Sequence, residues 1–147
     1  MCIRDRAKIE SKRAGYEEAI LLDEHGHVCE GSGENVFVVK DGQIVTPPQT
    51  ASILDGISRK SVMEIAADMG HPVVERDVAR AELALADEVF LVGTAAELTP
   101  VREIDDIEIG PPGELTREIQ TVYEDALHGR DERYTKWLDV VAVPSKA

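Results

Sequence analysis

The chain has 147 residues, 43% of them hydrophobic and 31% charged, which suits one domain with a core of its own. Sixteen Lys and Arg stand against 29 Asp and Glu, a formal charge of −13. That balance argues against nucleic acid and against an anionic membrane surface as partners, but leaves a small anionic ligand open. No apolar run reaches membrane-spanning length, and Cys2 and Cys29 lack a framework spacing, so a reducing, cytoplasmic location is expected.

In chain order, Met1 to Arg6 shows no periodicity and reads as a non-native leader of sequencing-adapter type. Ala7 to Ala14 reads as the tail of a helix stopped at Gly15. Glu17 to Asp23 is predicted as a buried strand, His25-Gly26-His27 as a turn and Val28 to Glu30 as the returning strand. Val36 to Lys40 and Gln43 to Thr46 are strands joined by Asp41-Gly42, a strong hairpin signal. Pro47-Pro48 ends this meander. A helix follows over Ile57 to Met69, with an apolar stripe at Ile57, Val62, Ile65, Ala66 and Met69 and a stop at Gly70. Pro72 to Asp77 is predicted as a strand, Arg80 to Ala86 as a short helix and Glu88 to Val92 as the central strand. Leu98 to Ile104 and Ile107 to Ile109 are strands about an Asp105-Asp106 turn. Leu115, Ile119, Val122, Tyr123, Ala126 and Leu127 mark a last amphipathic helix. The expectation is one mixed α/β domain.

Three stretches carry candidate chemistry. Glu30-Gly31-Ser32-Gly33-Glu34-Asn35 sets two carboxylates and two glycines before an apolar strand. It is either a site where a fixed charge meets a cofactor ring or a glycine-shaped bulge with solvated glutamates. Leu54-Asp55-Gly56-Ile57-Ser58-Arg59 leads into a helix. Its free N–H groups and dipole suit a phosphate, with Ser58 as an added donor or simply as the cap. Gly93-Thr94-Ala95-Ala96 follows the central strand and is either a ligand-binding strand end or an ordinary turn. His25 and His27 read as turn residues, and Asp105-Asp106 and Asp131-Glu132 as solvated charges.

Together with Thr46-Pro47-Pro48, Ala86-Asp87-Glu88-Val89-Phe90 and Glu97-Leu98-Thr99-Pro100-Val101, these stretches resemble the class IV (fold-type IV) pyridoxal-phosphate aminotransferases. Within that class they look most like the branched-chain amino acid enzymes. The resemblance implies the α/β cofactor-binding domain of that fold, with a mixed, mostly antiparallel sheet and helices, over residues 7–140, and a tail at 141–147. It implies pyridoxal 5'-phosphate as cofactor. Glu30 matches the carboxylate on the pyridine nitrogen, which keeps the ring an electron acceptor. Leu54 matches an apolar residue on the ring, and Gly56, Ile57, Ser58, Gly93 and Thr94 match the phosphate site. Thr94 and Ala95 match a site for the substrate carboxylate.

The expected reaction is transamination between leucine, isoleucine or valine and 2-oxoglutarate, in a parent expected to be a homodimer or higher homo-oligomer. Matching back from Glu30 puts the covalent cofactor lysine before Met1, so no residue here is expected to be catalytic. The chain then reads as the C-terminal part of a larger enzyme. Alternatives within the class are a D-amino acid aminotransferase or an aminodeoxychorismate lyase. Outside it stands a non-catalytic binding or dimerisation module of the same fold.

Overall fold

The structure is a computed structural model that describes residues 3–139 and 141. Cys2 and most of the expected tail lie outside them. The order is α1 (Ile3–Arg13), β1 (Ile20–Leu22), β2 (Val28–Gly31), β3 (Asn35–Lys40), β4 (Gln43–Thr46), α2 (Ile57–Asp68), β5 (Val74–Glu75), α3 (Arg80–Ala84), β6 (Glu88–Gly93), β7 (Glu97–Pro100), β8 (Glu103–Ile104), β9 (Ile107–Glu108) and α4 (Glu114–Leu127). Among the described residues, β1 to β7 form one sheet and β8–β9 a separate hairpin.

The sheet is organised by β3, which reads Asn-Val-Phe-Val-Val-Lys. β3 pairs antiparallel with β6 along Asn35–Val39, with β2 at its start and with β4 at its end. It is covered on both faces, so its apolar run is nearly continuous rather than alternating. Phe37, Val39, Phe90, Val92 and Ile44 face one core, closed by Val62, Ile65 and Ala66 of α2 and by Ile119, Tyr123 and Ala126 of α4. Val36, Val38, Val45, Val89 and Leu91 face the other, closed by Val28, Val78 and Leu83. Lys40-Asp41-Gly42-Gln43 is the expected two-residue hairpin. Both central residues take positive φ, 50° and 75°, as a turn matched to strand twist requires.

Several expectations are corrected. Helix α1 begins at Ile3 rather than Ala7, and none of its residues is buried. The strand expected over Glu17 to Asp23 shrinks to Ile20–Leu22 and is not buried. Pro72 to Asp77 contributes only Val74–Glu75, joined in parallel to β4. Leu98 to Ile104 splits, because β7 leaves the sheet after Pro100 and Glu103–Ile104 turns back on Ile107–Glu108. Ile57, an expected member of the buried stripe of α2, is 85% exposed.

The expected solvated acids also have partners. Asp105 pairs with Arg80 at 2.7 Å, and Asp106 accepts from the Tyr16 hydroxyl at 2.7 Å. Asp131 caps the 3-10 turn Glu132–Trp137 by accepting from the N–H of Arg133. Glu88, at the start of the central strand, reaches across to α4 and accepts from the N–H of Thr116 at 2.8 Å. A carboxylate at a helix start satisfies an otherwise orphaned donor and complements the dipole.

Candidate functional site

The three candidate stretches meet at one end of the sheet. Glu30 pairs with Asn35 across β2 and β3, and Asn35 pairs with Val92 across β3 and β6. The ends of β2 and β6 and the start of β3 therefore coincide. Gly93 follows Val92 so close to the β2–β3 turn that a Cβ on it would stand 2.9 Å from the carbonyl oxygen of Gly33. Only glycine permits that approach.

Glu30 is 3% exposed, and each of its oxygens has a partner. Oε2 accepts from the Leu54 N–H at 2.9 Å, and Oε1 is ion-paired with the Arg4 guanidinium of α1. A buried carboxylate persists only when paired and hydrogen-bonded, so the first of these contacts ties the loop before α2 to β2. Asn35, the cross-strand partner of Glu30, donates from Nδ2 to the Leu54 carbonyl at 3.0 Å. A Cβ at Gly56 would fall 2.4 Å from Asn35 Oδ1. The sequence assigned Asn35 no role, although it stands inside the glycine motif.

Helix α2 starts at Ile57, with Gly56 extended at its N-cap and no side-chain cap. Ser58 therefore is not the capping residue and lies in the first turn, where its hydroxyl sits beside the positive end of the dipole. The neighbouring cations are engaged elsewhere. Arg59 is buried and donates to the Pro47 carbonyl and Glu75, and Lys60 pairs with Asp55. Leu54 is 62% exposed, so an apolar side chain stands uncovered between Glu30 and the helix start.

The glycine turn is not an open anion cradle, because its N–H groups are already used by the chain's own carboxyls. Ser32 N–H donates to Glu18 at 3.3 Å and Gly33 N–H to Glu34 at 3.0 Å. Gly31 and Gly33 thus shape the turn, as the plainer reading had it, but neither Glu30 nor Glu34 is simply solvated. Burial pushes the Glu34 carboxyl above the usual carboxylate range, the N–H of Gly33 opposes this, and the neighbouring Glu18 adds to the rise. Burial opposes ionisation of Glu18 as well. It is outweighed by the Lys8 ammonium, by Ser32, by the N–H of Ala19 and by Glu34, and Glu18 is held at about 2.

The two acids are therefore linked to folding with opposite sign. The contribution of Glu18 is fully present above the ordinary value of 4.5 and is lost as pH falls from there to about 2. That of Glu34 is present below its ordinary value and lost as pH rises through its raised one. At neutral pH, Glu18→Gln is expected to lower the unfolding free energy by roughly 1–2 kcal/mol, and Glu34→Gln to leave it unchanged or higher. Urea titrations at about pH 7, where the Glu18 contribution is whole, and at about pH 3, inside the window in which it is being lost, check this. Equal losses from the two substitutions would contradict it.

Thr94-Ala95-Ala96 forms the loop of the β6–β7 hairpin, with Gly93 opposite Glu97 and Glu97 at φ 51°. β6 is antiparallel to both of its neighbours, so this strand end is a hairpin loop and not the carboxyl edge of a parallel sheet. Thr94 and Ala95 are both exposed, and they lie at the same end of the sheet as Glu30. A cavity of about 610 Å³ opens beside Glu30, walled by Ile3, Arg4, Leu21, Cys29 and Ala51, and neither Ser58 nor Thr94 lines it. Burial, and then the charges of Asp23 and Glu30, raise the Cys29 thiol, which keeps it neutral.

A buried carboxylate, an uncapped helix start and a glycine-threonine hairpin thus stand together at one end of the sheet. The sequence model of amino-transferase class IV matches residues 2–104, and the chain belongs to that family. Its relatives narrow the kind. The chain is 49% identical over 138 residues to the probable branched-chain-amino-acid aminotransferase of Aquifex aeolicus (strain VF5), a match that covers 92% of this chain and 44% of that protein. It is 46% identical over 134 residues to the branched-chain-amino-acid aminotransferase of Escherichia coli (strain K12), a match that covers 90% and 43%.

Among solved structures, the branched-chain aminotransferase of Thermoproteus uzoniensis with norvaline superposes with a TM-score of 0.90 at 45% identity, over 92% of this chain and 46% of that one. The branched-chain amino acid aminotransferase of Thermobaculum terrenum in its PLP-form (holo-form) gives 0.90 at 42% identity, over 92% and 45%. The chain spans less than half the length of these relatives. The family resemblance and the α/β fold expected from the motifs are both shown.

Proposed function

We propose that this chain is the cofactor-anchoring part of a pyridoxal-phosphate-dependent branched-chain aminotransferase. In the whole protein the reaction is amino transfer between leucine, isoleucine or valine and 2-oxoglutarate. The observation that carries the reading is Glu30, a nearly fully buried carboxylate with one oxygen fixed on Leu54 and the other holding a planar N–H cation, Arg4. A buried carboxylate oxygen that takes a planar N–H cation also suits a protonated pyridine nitrogen, so the donor set fits the group.

When bound, the cofactor supplies an electron sink for a carbanion at the substrate Cα. Glu30 Oε1 holds the proton on the ring nitrogen, a charge-assisted bond in a buried place. Leu54 covers the ring. Gly56, Ile57 and Ser58 meet the phosphate at the start of α2, and Gly93 and Thr94 close it from the hairpin. Thr94 and Ala95 present their backbone to the substrate carboxylate. No residue of this chain is assigned the α-proton, and the chain alone is expected to bind cofactor weakly and not to transaminate. The cofactor-binding domain is proposed to extend over residues 7–140, and the parent is proposed to be a cytoplasmic homo-oligomer. The name shared by the relatives favours this reading over D-amino acid aminotransferase or lyase chemistry. Assay of the whole protein with leucine against D-alanine as donor separates them.

The site is tested by calorimetric titration with pyridoxamine 5'-phosphate, whose amine cannot attach to surface lysines as an aldehyde would. Glu30→Gln is expected to weaken binding about 10- to 100-fold, the range of a hydrogen bond to a charged group. Unchanged affinity in Glu30→Gln would remove the cofactor reading and leave a non-catalytic module of the fold.

A further inference from the structure

We propose that Asn35 is a positioning residue that sets the distance between the ring-nitrogen anchor and the phosphate-binding helix start. This deepens the cofactor reading above and rests on it. Glu30 and Asn35 are cross-strand partners, and they grip opposite ends of a single residue. The Leu54 N–H goes to Glu30 at 2.9 Å and the Leu54 carbonyl to Asn35 at 3.0 Å. Leu54 lies two residues before Gly56, the N-cap of α2.

The peptide groups of Leu54 are thereby locked in register with the sheet, and the first turn of α2 is carried with them. Gly56 closes the arrangement. Asn35 Oδ1 occupies the space a Cβ would need at Gly56, so the glycine is required by the clamp as well as by the helix start. Asn35 is 5% exposed and touches neither the ring nor the phosphate in this assignment. Its effect passes through Leu54. One oxygen of Glu30 belongs to the clamp and the other to the ligand, and Asn35 is what keeps those two uses apart. A ligand that contacts only Glu30 does not sense the spacing. A ligand that must reach both Glu30 and the helix start does, because a misplacement of about 1 Å degrades a two-point fit.

The test compares pyridoxamine 5'-phosphate with pyridoxamine, its analogue without phosphate, on the 147-residue chain and its Asn35→Leu and Asn35→Ala variants. The unmodified chain should prefer the phosphorylated ligand. In both variants the preference should fall by about tenfold or more, with affinity for pyridoxamine itself changed less than about threefold. A merely structural role would weaken both ligands alike, and that result, or an unchanged preference, overturns the proposal.

Hydrogen exchange at the Leu54 amide gives a readout without ligand. It should quicken by about tenfold or more in Asn35→Leu, because loss of one prong frees the other, and unchanged exchange also overturns the clamp. If exchange quickens but neither ligand binds the unmodified chain, the cofactor reading fails and takes the positioning role with it. Equal loss for both ligands would fail the positioning role alone.

Discussion

Phe90→Ala is expected to lower the unfolding free energy by about 3–5 kcal/mol, the cost of emptying a closed aromatic site. Phe90 is fully buried and lies directly opposite Phe37 in the β3–β6 ladder. The two rings stack with centroids 5.0 Å apart and planes 3° from parallel. Both project into the core closed by α2 and α4, so a void there has helices on one side and the sheet on the other and cannot collapse cheaply. Against a typical total of about 5–15 kcal/mol, the loss would leave the fold marginal. Chemical denaturation measures it. A double-mutant cycle with Phe37→Ala should show a coupling of about 0.5–1.5 kcal/mol for the pair itself. A Phe90→Ala loss below about 1 kcal/mol, outside the range for an emptied aromatic site, would mean that this face of the sheet is not packed as described.

The second large effect concerns Arg4. Its guanidinium is paired with Glu30 Oε1, the oxygen assigned to the ring nitrogen, so chain and cofactor compete for one acceptor. Arg4→Ala is expected to raise the affinity for pyridoxamine 5'-phosphate about tenfold, equivalent to about 1.4 kcal/mol. The same substitution leaves a buried carboxylate oxygen without a partner, so the ligand-free chain should lose about 1–3 kcal/mol of stability. Saturating ligand supplies a new donor and should close most of that gap, since ligand bound only by the folded chain stabilises it by mass action. Thermal melts with and without ligand show the gap, and calorimetry shows the affinity. An affinity unaltered by Arg4→Ala would place the ring nitrogen elsewhere than on Glu30.

Glu18 and Glu34 illustrate where local reading stops. Glu18 stands in a segment whose neighbours suggest only a buried strand, and Glu34 reads chiefly as a solvated end of the glycine motif. The fold instead lays them against each other beneath the β2–β3 turn, with Lys8 of α1 on Glu18. Nothing in either neighbourhood announces the other, since β1 and β2 both intervene. Arg59 is the converse. It belongs to a recognisable motif, yet no local signal shows that its guanidinium is buried on Pro47 and Glu75.

What the sequence determined by itself is everything that neighbouring residues decide. The Asp41-Gly42 hairpin follows from left-handed backbone freedom, and α2 and α4 follow from apolar spacing and glycine ends. The central strand Glu88–Val92 follows from an unbroken apolar run, and family membership from motifs that keep their order. Only the tertiary structure decided which groups share a partner. The register that puts Glu30 opposite Asn35 also puts both on Leu54, 24 and 19 residues away. The short reach of β8–β9 ended the long strand expected over Leu98 to Ile104, and Ile57 left the buried stripe because the sheet lies against the other side of α2. Turn chemistry and periodicity are properties of contiguous chain. Hydrogen-bond partners and burial depend on how separate elements pack, and the sequence specifies that packing only through the whole fold.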